Sequence, residues 1–289
     1  MIKSGSGRAA VRLPGRVSRH TRDVLAGKAP PVQPRDAATV MVLRPLAAAR
    51  DGRGLRVYML RRPASMAFAP GAYVFPGGSV DKADAGADLG WAGPAPAAWG
   101  QALGVPAALA QALVCAAVRE TFEECGVLLA GEDPRSVVTS TAGPTWESDR
   151  RELLAGEVSL AGLLRRRGLV LRSDLLRPWS RWITPESEER RYDTRFFAAA
   201  LPPGQEAQGA GREADEALWV EPGEALASAA RGDSYLLPPT AVTLGELREC
   251  GDVAAALAAP RTIRPLMPEA RVTRDAVFLE LPEGLEYPS

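Results

Sequence analysis

Read for the alternation of apolar and polar positions, the chain first becomes regular at Ala38. The runs ATVMVLRPL, LRVYMLRR and AYVFPGG each have the length and β-branched or aromatic content of a strand, and the Asp51-Gly52 turn signal separates the first two. Two later runs, RYDTRFFAAAL and EALWVEP, read the same way and are separated by a Gly-rich loop at 203 to 212; AVFLEL adds a strand near the end. A helix is predicted between Pro106, at a starting position, and Gly126, at a stopping one. At helical spacing Val114, Val118, Phe122 and Cys125 gather on one side, while Glu120, Glu123 and Glu124 fall within about 100° of arc on the other. One face packs and the other presents carboxylates. The segment from Asp84 to Val105 is rich in Ala, Gly and Pro and is read as too irregular for a regular element. Its Trp91 and Trp99 nevertheless predict an ordered segment, beside the cleft or at a subunit contact, with a remote face of the domain as the plainer alternative. No internal repeat is apparent.

Composition narrows the class. Hydrophobic residues make up 46% and charged residues 24% of 289, with formal net charge zero, which suits a soluble globular protein and suggests neither a general nucleic-acid binder nor a membrane protein. No run of about 18 apolar residues occurs and no secretion signal leads the chain, so the cytoplasm is the expected location. Residues 1–36 are strongly basic, with Asp23 as the single acid before Arg35, and are read as a mobile tail, an organellar targeting segment being the alternative. Residues 37–289 are read as one domain with an insertion at about 85–105 and a C-terminal extension from about 223. Cys115, Cys125 and Cys250 form no CxxC pair and are read as reduced thiols. The single histidine, His20, lies in the basic leader, which argues against His-dependent triads and His-rich metal sites.

Catalysis then rests on carboxylates or on something other than histidine. Like charges at i, i+3 and i+4 oppose one another by a few tenths of a kcal/mol per pair, and a hard divalent cation compensates them while leaving positions for water and phosphate oxygens. Arg119, four residues before Glu123, is placed to hold a carboxylate. A solvated helix face is the ordinary reading of RETFEE taken alone. Residues 119–127, Arg-Glu-Thr-Phe-Glu-Glu-Cys-Gly-Val, resemble the second half of the Nudix box, with Thr121 a small occupant of an apolar position. Phe75-Pro76-Gly77-Gly78 resembles the opening of the same box, and Gly78 followed by five residues reaches Asp84. The family usually has Glu there and seven residues before the Arg. Here residues 85 to 118 intervene, which puts Asp84 in doubt as a ligand. The resemblance, spanning roughly residues 37 to 222, implies an α/β/α sandwich around a mixed β-sheet. It also implies Mg²⁺ or Mn²⁺ held by Glu120, Glu123, Glu124 and the backbone of Gly78, with Gly77 and Gly78 letting the main chain run close to the site.

Within that family the chain is similar to the coenzyme A diphosphatases whose box is interrupted. The similarity rests on VYMLRRPASMAFAPGAYVFPGG, on the FPGGxxDxAD pattern ending at Asp84, and on the segments Trp182 to Pro185 and Arg190 to Phe197. It implies a small nucleotide-derived substrate, coenzyme A or its acyl esters, cleaved to 3′,5′-adenosine diphosphate and (acyl-)4′-phosphopantetheine. Such a substrate needs cations, for which Arg61, Arg62, Arg190, Arg191 and Arg195 are available; Arg61, Arg62 and Arg191 are taken as substrate-binding. Trp182 and Tyr192 either stack on adenine or pack. Glu213 and Glu216, placed just before or within ALWV, are candidates for the base or a further ligand. Two alternatives stay open: an ADP-ribose or NADH pyrophosphatase of the same fold, and a Nudix-fold binding module without activity. Modules of the latter kind commonly lose box carboxylates, which are present here. A homodimer is left open.

Overall fold

A computed structural model describes residues 2–3, 9–12, 18–46, 54–63, 69–86, 88–209, 216–272, 277–285 and 287. Its centre is the strand Arg35–Pro45, in which Ala38, Val40 and Val42 face one side of a mixed sheet while Met41 and Leu43 face the other. A strand apolar on both faces belongs in the interior of a sheet covered on both sides. It runs parallel to Tyr192–Ala200 along its length, from Arg35 opposite Tyr192 to Leu43 opposite Ala200. Its other edge is shared: Leu43 to Pro45 pair with the antiparallel strand Leu55–Arg61, and Ala37 to Thr39 pair with Gly77–Ser79. Among the described residues this sheet has nine strands.

The helix Ala107–Cys125 covers one face, starting after Pro106 and ending at Gly126 in the left-handed conformation (φ 70°), as the Pro and Gly punctuation predicts. The helices Pro222–Arg231, Pro238–Cys250 and Val253–Ala258 cover the other face, so the C-terminal extension supplies the second helical layer of an α/β/α sandwich.

Two expectations are corrected. The segment read as irregular contains a short strand, Trp91–Ala92, paired with Val170–Arg172, and the helix Pro96–Leu103, closed by Gly104 (φ 66°). Ala-rich sequence between an initial proline and a terminal glycine forms a helix because nothing in it breaks one. The segment packs into the core: Trp99, 4% exposed, meets Phe197 of the central sheet edge-on with ring centroids 5.8 Å apart. The leader read as a mobile tail holds the helix Arg19–Leu25, capped by Ser18, whose Thr21 hydroxyl donates to the carbonyl of Ser187 at 3.1 Å. His20 lies on that helix. The Asp51-Gly52 turn lies outside the described residues.

Candidate functional site

The site begins with two glycines in a strand. Gly77–Ser79 runs against the central strand, so its backbone is fixed by the sheet, and a side chain at Gly77 would come closer than 3.0 Å to Thr39 and to the carbonyl of Ala38. At Gly78 a β-carbon would come closer than 3.0 Å to the Glu120 carboxylate. Only glycine lets the helix carboxylate press against the strand. The Gly77 amide donates to Oε2 of Glu124 at 2.8 Å, tying the last carboxylate of the helix to the same strand.

Arg119 organises the remainder. Its Nη1 donates to Oε1 of Glu120 at 2.8 Å and to Oε2 of Glu123 at 3.0 Å, its Nε to Oδ1 of Asp84 at 3.1 Å, and its Nη2 to Oδ2 of Asp84 at 3.0 Å and to the Ser79 carbonyl at 2.9 Å. Every nitrogen of the guanidinium is engaged. Burial opposes its charge, but its hydrogen bonds to Asp84 and the charges of Glu120, Asp84 and Glu123 prevail and hold it protonated. Asp84, doubtful from its spacing, is the most enclosed member of the cluster at 2% exposed and also accepts from the Asp81 amide at 2.8 Å.

The face expected to present its carboxylates openly is instead covered by the Gly77–Ser79 strand and the turn that ends at Asp84. Glu120 and Glu123 are only 9% and 8% exposed, and Glu124 is half-buried. Burial pushes the Glu120 carboxyl up to about 7; Arg119 acts against the shift and the charge of Glu123 adds to it.

Asp84, Glu120 and Glu123 thus surround a single guanidinium, with Glu124 held beside them by the Gly77 amide, leaving an excess of negative charge on hard oxygen donors in a site largely withdrawn from water. That donor chemistry fits a hard divalent cation. In the conformation described, Glu120 and Glu123 turn toward Arg119, and among the described residues no three acidic, His or Cys side chains converge on one metal position. Arg150 was not singled out in the sequence, where nothing distinguishes it within DRRELL. It is 5% exposed and donates from Nε to the main-chain carbonyl of Glu123 at 2.7 Å, bracing the carboxylate helix from the neighbouring helix Pro144–Leu154.

The other residues proposed from the sequence are dispersed. Arg61 is exposed at the end of its strand, opposite Glu216, whose Oε2 accepts from the Tyr73 hydroxyl at 2.7 Å. Glu213 lies outside the described residues. Arg191, expected to meet substrate, is 7% exposed and is bound to main-chain carbonyls, from Nε to Thr184 at 3.0 Å and from Nη1 to Val32 at 2.7 Å. It holds the leader against the turn between two strands. Arg190 is exposed, and Arg195, 1% exposed, is buried in ion pairs with Asp36 and Asp193 at 3.0 and 2.8 Å. Trp182, 3% exposed, belongs to the core.

Arg62 and Gly77 border a cavity of about 390 Å³ on the face of the sheet opposite the carboxylate helix. Thr39, Thr194 and Phe196 form its floor, and the start of the helix Pro238–Cys250 forms a wall.

Comparison with known proteins gives the family. Residues 95–247 match the family model described as the NUDT19 Nudix domain. The chain is 30% identical to the acyl-coenzyme A diphosphatase NUDT19 of Gallus gallus, over 71% of this chain and 65% of that protein. It is 32% identical to the Homo sapiens protein of the same name, over 64% and 58%. It therefore spans less than two thirds of the length of these relatives. Among solved structures, a NUDIX hydrolase from Alicyclobacillus acidocaldarius is 28% identical and superposes with a TM-score of 0.67, over 80% of this chain and 98% of that one.

Proposed function

The chain belongs to the Nudix family, in the branch described by the NUDT19 Nudix domain, and from that premise we propose that it hydrolyses the pyrophosphate bond of coenzyme A or acyl-coenzyme A. The products are 3′,5′-adenosine diphosphate and (acyl-)4′-phosphopantetheine. The observation that carries this reading is the reassembly of an interrupted motif. Asp84 lies before the insertion and Arg119 after it, yet the two are joined at 3.0 Å, and Arg119 in turn holds Glu120 and Glu123.

Glu120, Glu123 and Glu124 are the residues that would hold a divalent cation, Mg²⁺ or Mn²⁺, with the Gly78 backbone beside them. When bound, such a cation neutralises phosphate charge and activates water for in-line attack. The protein's own part is positioning. Asp84 and Arg119 restrict where Glu120 and Glu123 point, and the Gly77 amide restricts Glu124. Arg61 and Arg62 offer positive charge to the substrate's phosphates at the other side of the Gly77 strand. The attacking water gives its proton to a carboxylate, for which Glu213 and Glu216 are the candidates. The water oxygen bonds to one of the two phosphorus atoms as the bridging phosphorus–oxygen bond breaks, and the other phosphate departs, giving 3′,5′-adenosine diphosphate and (acyl-)4′-phosphopantetheine.

The test is a substrate panel of coenzyme A, acetyl- and octanoyl-coenzyme A, ADP-ribose and NADH, each with Mg²⁺ and with Mn²⁺, the products identified by mass. Formation of 3′,5′-adenosine diphosphate from the thioesters is expected. Cleavage of ADP-ribose or NADH with no cleavage of coenzyme A compounds would overturn the reading.

A further inference from the structure

A helix ends in carbonyls that its own backbone cannot satisfy, and the negative end of its dipole lies there. In the carboxylate helix Ala107–Cys125 this end carries Glu123 and Glu124, and three separate segments close it. The Nε of Arg150 donates to the Glu123 carbonyl at 2.7 Å, the Gln208 amide to that of Cys125 at 2.9 Å, and the Thr141 hydroxyl to that of Gly126 at 2.7 Å. Of these donors only Arg150 is charged. Its burial follows from the sequence of its own helix, Pro144–Leu154, in which Trp146, Arg150 and Leu153 recur at i, i+4 and i+7 and so share one face. Trp146 meets Phe122 edge-on with ring centroids 6.0 Å apart, so this face lies along the last turns of the carboxylate helix.

Burying a guanidinium is costly unless charge or dipole answers it. Arg150 is 5% exposed, and the Glu147 carboxylate, half exposed, stands 3.9 Å from its Nη1, too distant for a hydrogen bond. What answers the charge is the helix end itself. The guanidinium also reaches past that end, since Nη2 lies 3.4 Å from the carbonyl of Gly209, the last described residue of the segment 202–209. That segment is fastened at the same place. The Tyr58 hydroxyl donates to the Gln208 carbonyl at 2.9 Å, and Gln205 exchanges hydrogen bonds with the amide and the carbonyl of Leu128, each at 2.9 Å. Burial keeps the Tyr58 hydroxyl well above its ordinary range, and the charges of Arg150 and Glu124 act on it with opposite sign. Arg150 and the Glu124 carboxylate therefore share one electrostatic environment.

We propose that Arg150 is a positioning residue for Glu124: its fork fixes the end of the carboxylate helix against the segment 202–209, and so fixes where the Glu124 carboxylate stands against the Gly77 strand. The inference rests on the reading above, in which Glu124 helps to hold the cation. Glu120 and Glu123 are restrained by Arg119, whereas Glu124 meets the site through the Gly77 amide, from the turn that Arg150 braces. The ladder bonds to the central strand are made by Pro76, with Val40, and by Val80, with Asp36, so the Gly77 amide points the other way and has Glu124 as its acceptor. Hydrogen exchange at that amide therefore reports the placement of Glu124 without metal or substrate.

Arg150→Met and Arg150→Lys test it, the first removing charge and fork, the second the fork alone. Leu247→Ala, in the core on the opposite face of the sheet, is the control for lost stability by itself. Circular dichroism and thermal melts establish folding. Three quantities are then measured: hydrogen exchange at the Gly77 amide relative to the ladder amide of Val40, Mn²⁺ affinity by calorimetry without substrate, and kcat and KM for coenzyme A. In Arg150→Met, exchange at Gly77 is expected to quicken by about tenfold or more relative to Val40. Mn²⁺ affinity and kcat should each fall by about 10- to 100-fold with KM little changed. Arg150→Lys should show the same changes at smaller size, and Leu247→Ala none of them. If Arg150→Met does not fold, Arg150→Lys decides. Folded variants that keep wild-type Gly77 exchange, Mn²⁺ affinity and kcat overturn the assignment, as does a control that reproduces their losses. If the wild type cleaves no coenzyme A compound, the coenzyme A reading falls, and Gly77 exchange and Mn²⁺ affinity still decide the role of Arg150. A wild type that binds no Mn²⁺ overturns the metal assignment and this inference with it.

Discussion

Replacing Asp84 by Asn keeps the shape of the side chain and removes its charge from the most enclosed position of the carboxylate cluster. In the folded protein Asp84 takes the Nε and Nη2 protons of Arg119, while Glu120, Glu123 and the Ser79 carbonyl take the others. Removing one partner of a buried ion pair costs about 3–5 kcal/mol when the other charge is left alone. Arg119 keeps two carboxylates and is itself slightly exposed, 12% in its side chain, so the cost lies at or below the lower end of that range: about 2–3 kcal/mol, or about 3–5 °C in Tm at about 2.1 cal/mol/K of unfolding entropy per residue. The effect on turnover is separate. With its anchor weakened, the guanidinium shifts toward Glu120 and Glu123, and displacement of either by about 1 Å reduces kcat by about 100-fold. Urea unfolding and steady-state kinetics on Asp84→Asn measure both quantities. Asp81→Asn is the control, since exposed Asp81 accepts only from the Ala83 amide, and it should change stability by less than about 0.5 kcal/mol. An Asp84→Asn protein with unchanged Tm and kcat would refute the view that Asp84 rejoins the interrupted motif.

Glu124→Gln retains an acceptor for the Gly77 amide and loses a charge, so it should fold normally and turn over at least about 100-fold more slowly at saturating metal; wild-type turnover would remove Glu124 from the site. Trp99→Ala should destabilise by about 3–5 kcal/mol in urea, because the indole is core and not surface; a loss below about 1 kcal/mol would contradict its packing on Phe197. Burial pushes the Cys115 and Cys125 thiols up to about 12, so little thiolate is present at pH 8. Cys250 is partly exposed, and Ellman's reagent should find it alone in the native protein and all three cysteines after denaturation. Rapid native labelling of Cys115, read by mass spectrometry, would contradict this.

What the sequence made legible follows from local rules. Strands at 35–45, 55–61, 192–200 and 216–220 could be read because alternation and β-branched content act within a few residues. The carboxylate helix could be read because Pro106 and Gly126 punctuate it. The readings that failed depended on three-dimensional closure. Spacing along the chain gave no reason to place Asp84 against Arg119, since the intervening residues fold out and return. The helix Pro96–Leu103 was obscured by Ala and Gly, which read as irregular when their flanking Pro96 and Gly104 are not weighed as caps. Arg191 looked like a cation awaiting phosphate, and a one-dimensional pattern cannot show that main-chain carbonyls surround it.

The inserted segment also changes what can later happen to this gene product. A surface loop between strand and helix can lengthen or shorten at little cost, because closure entropy grows slowly with length. This one has placed an indole between the carboxylate helix and the central sheet, where shortening would leave a void in the hydrophobic core. Its removal would therefore cost core packing, which the loss of a purely exposed loop would not. The two sides of the interrupted motif are thus joined by packing as well as by the Asp84–Arg119 ion pair.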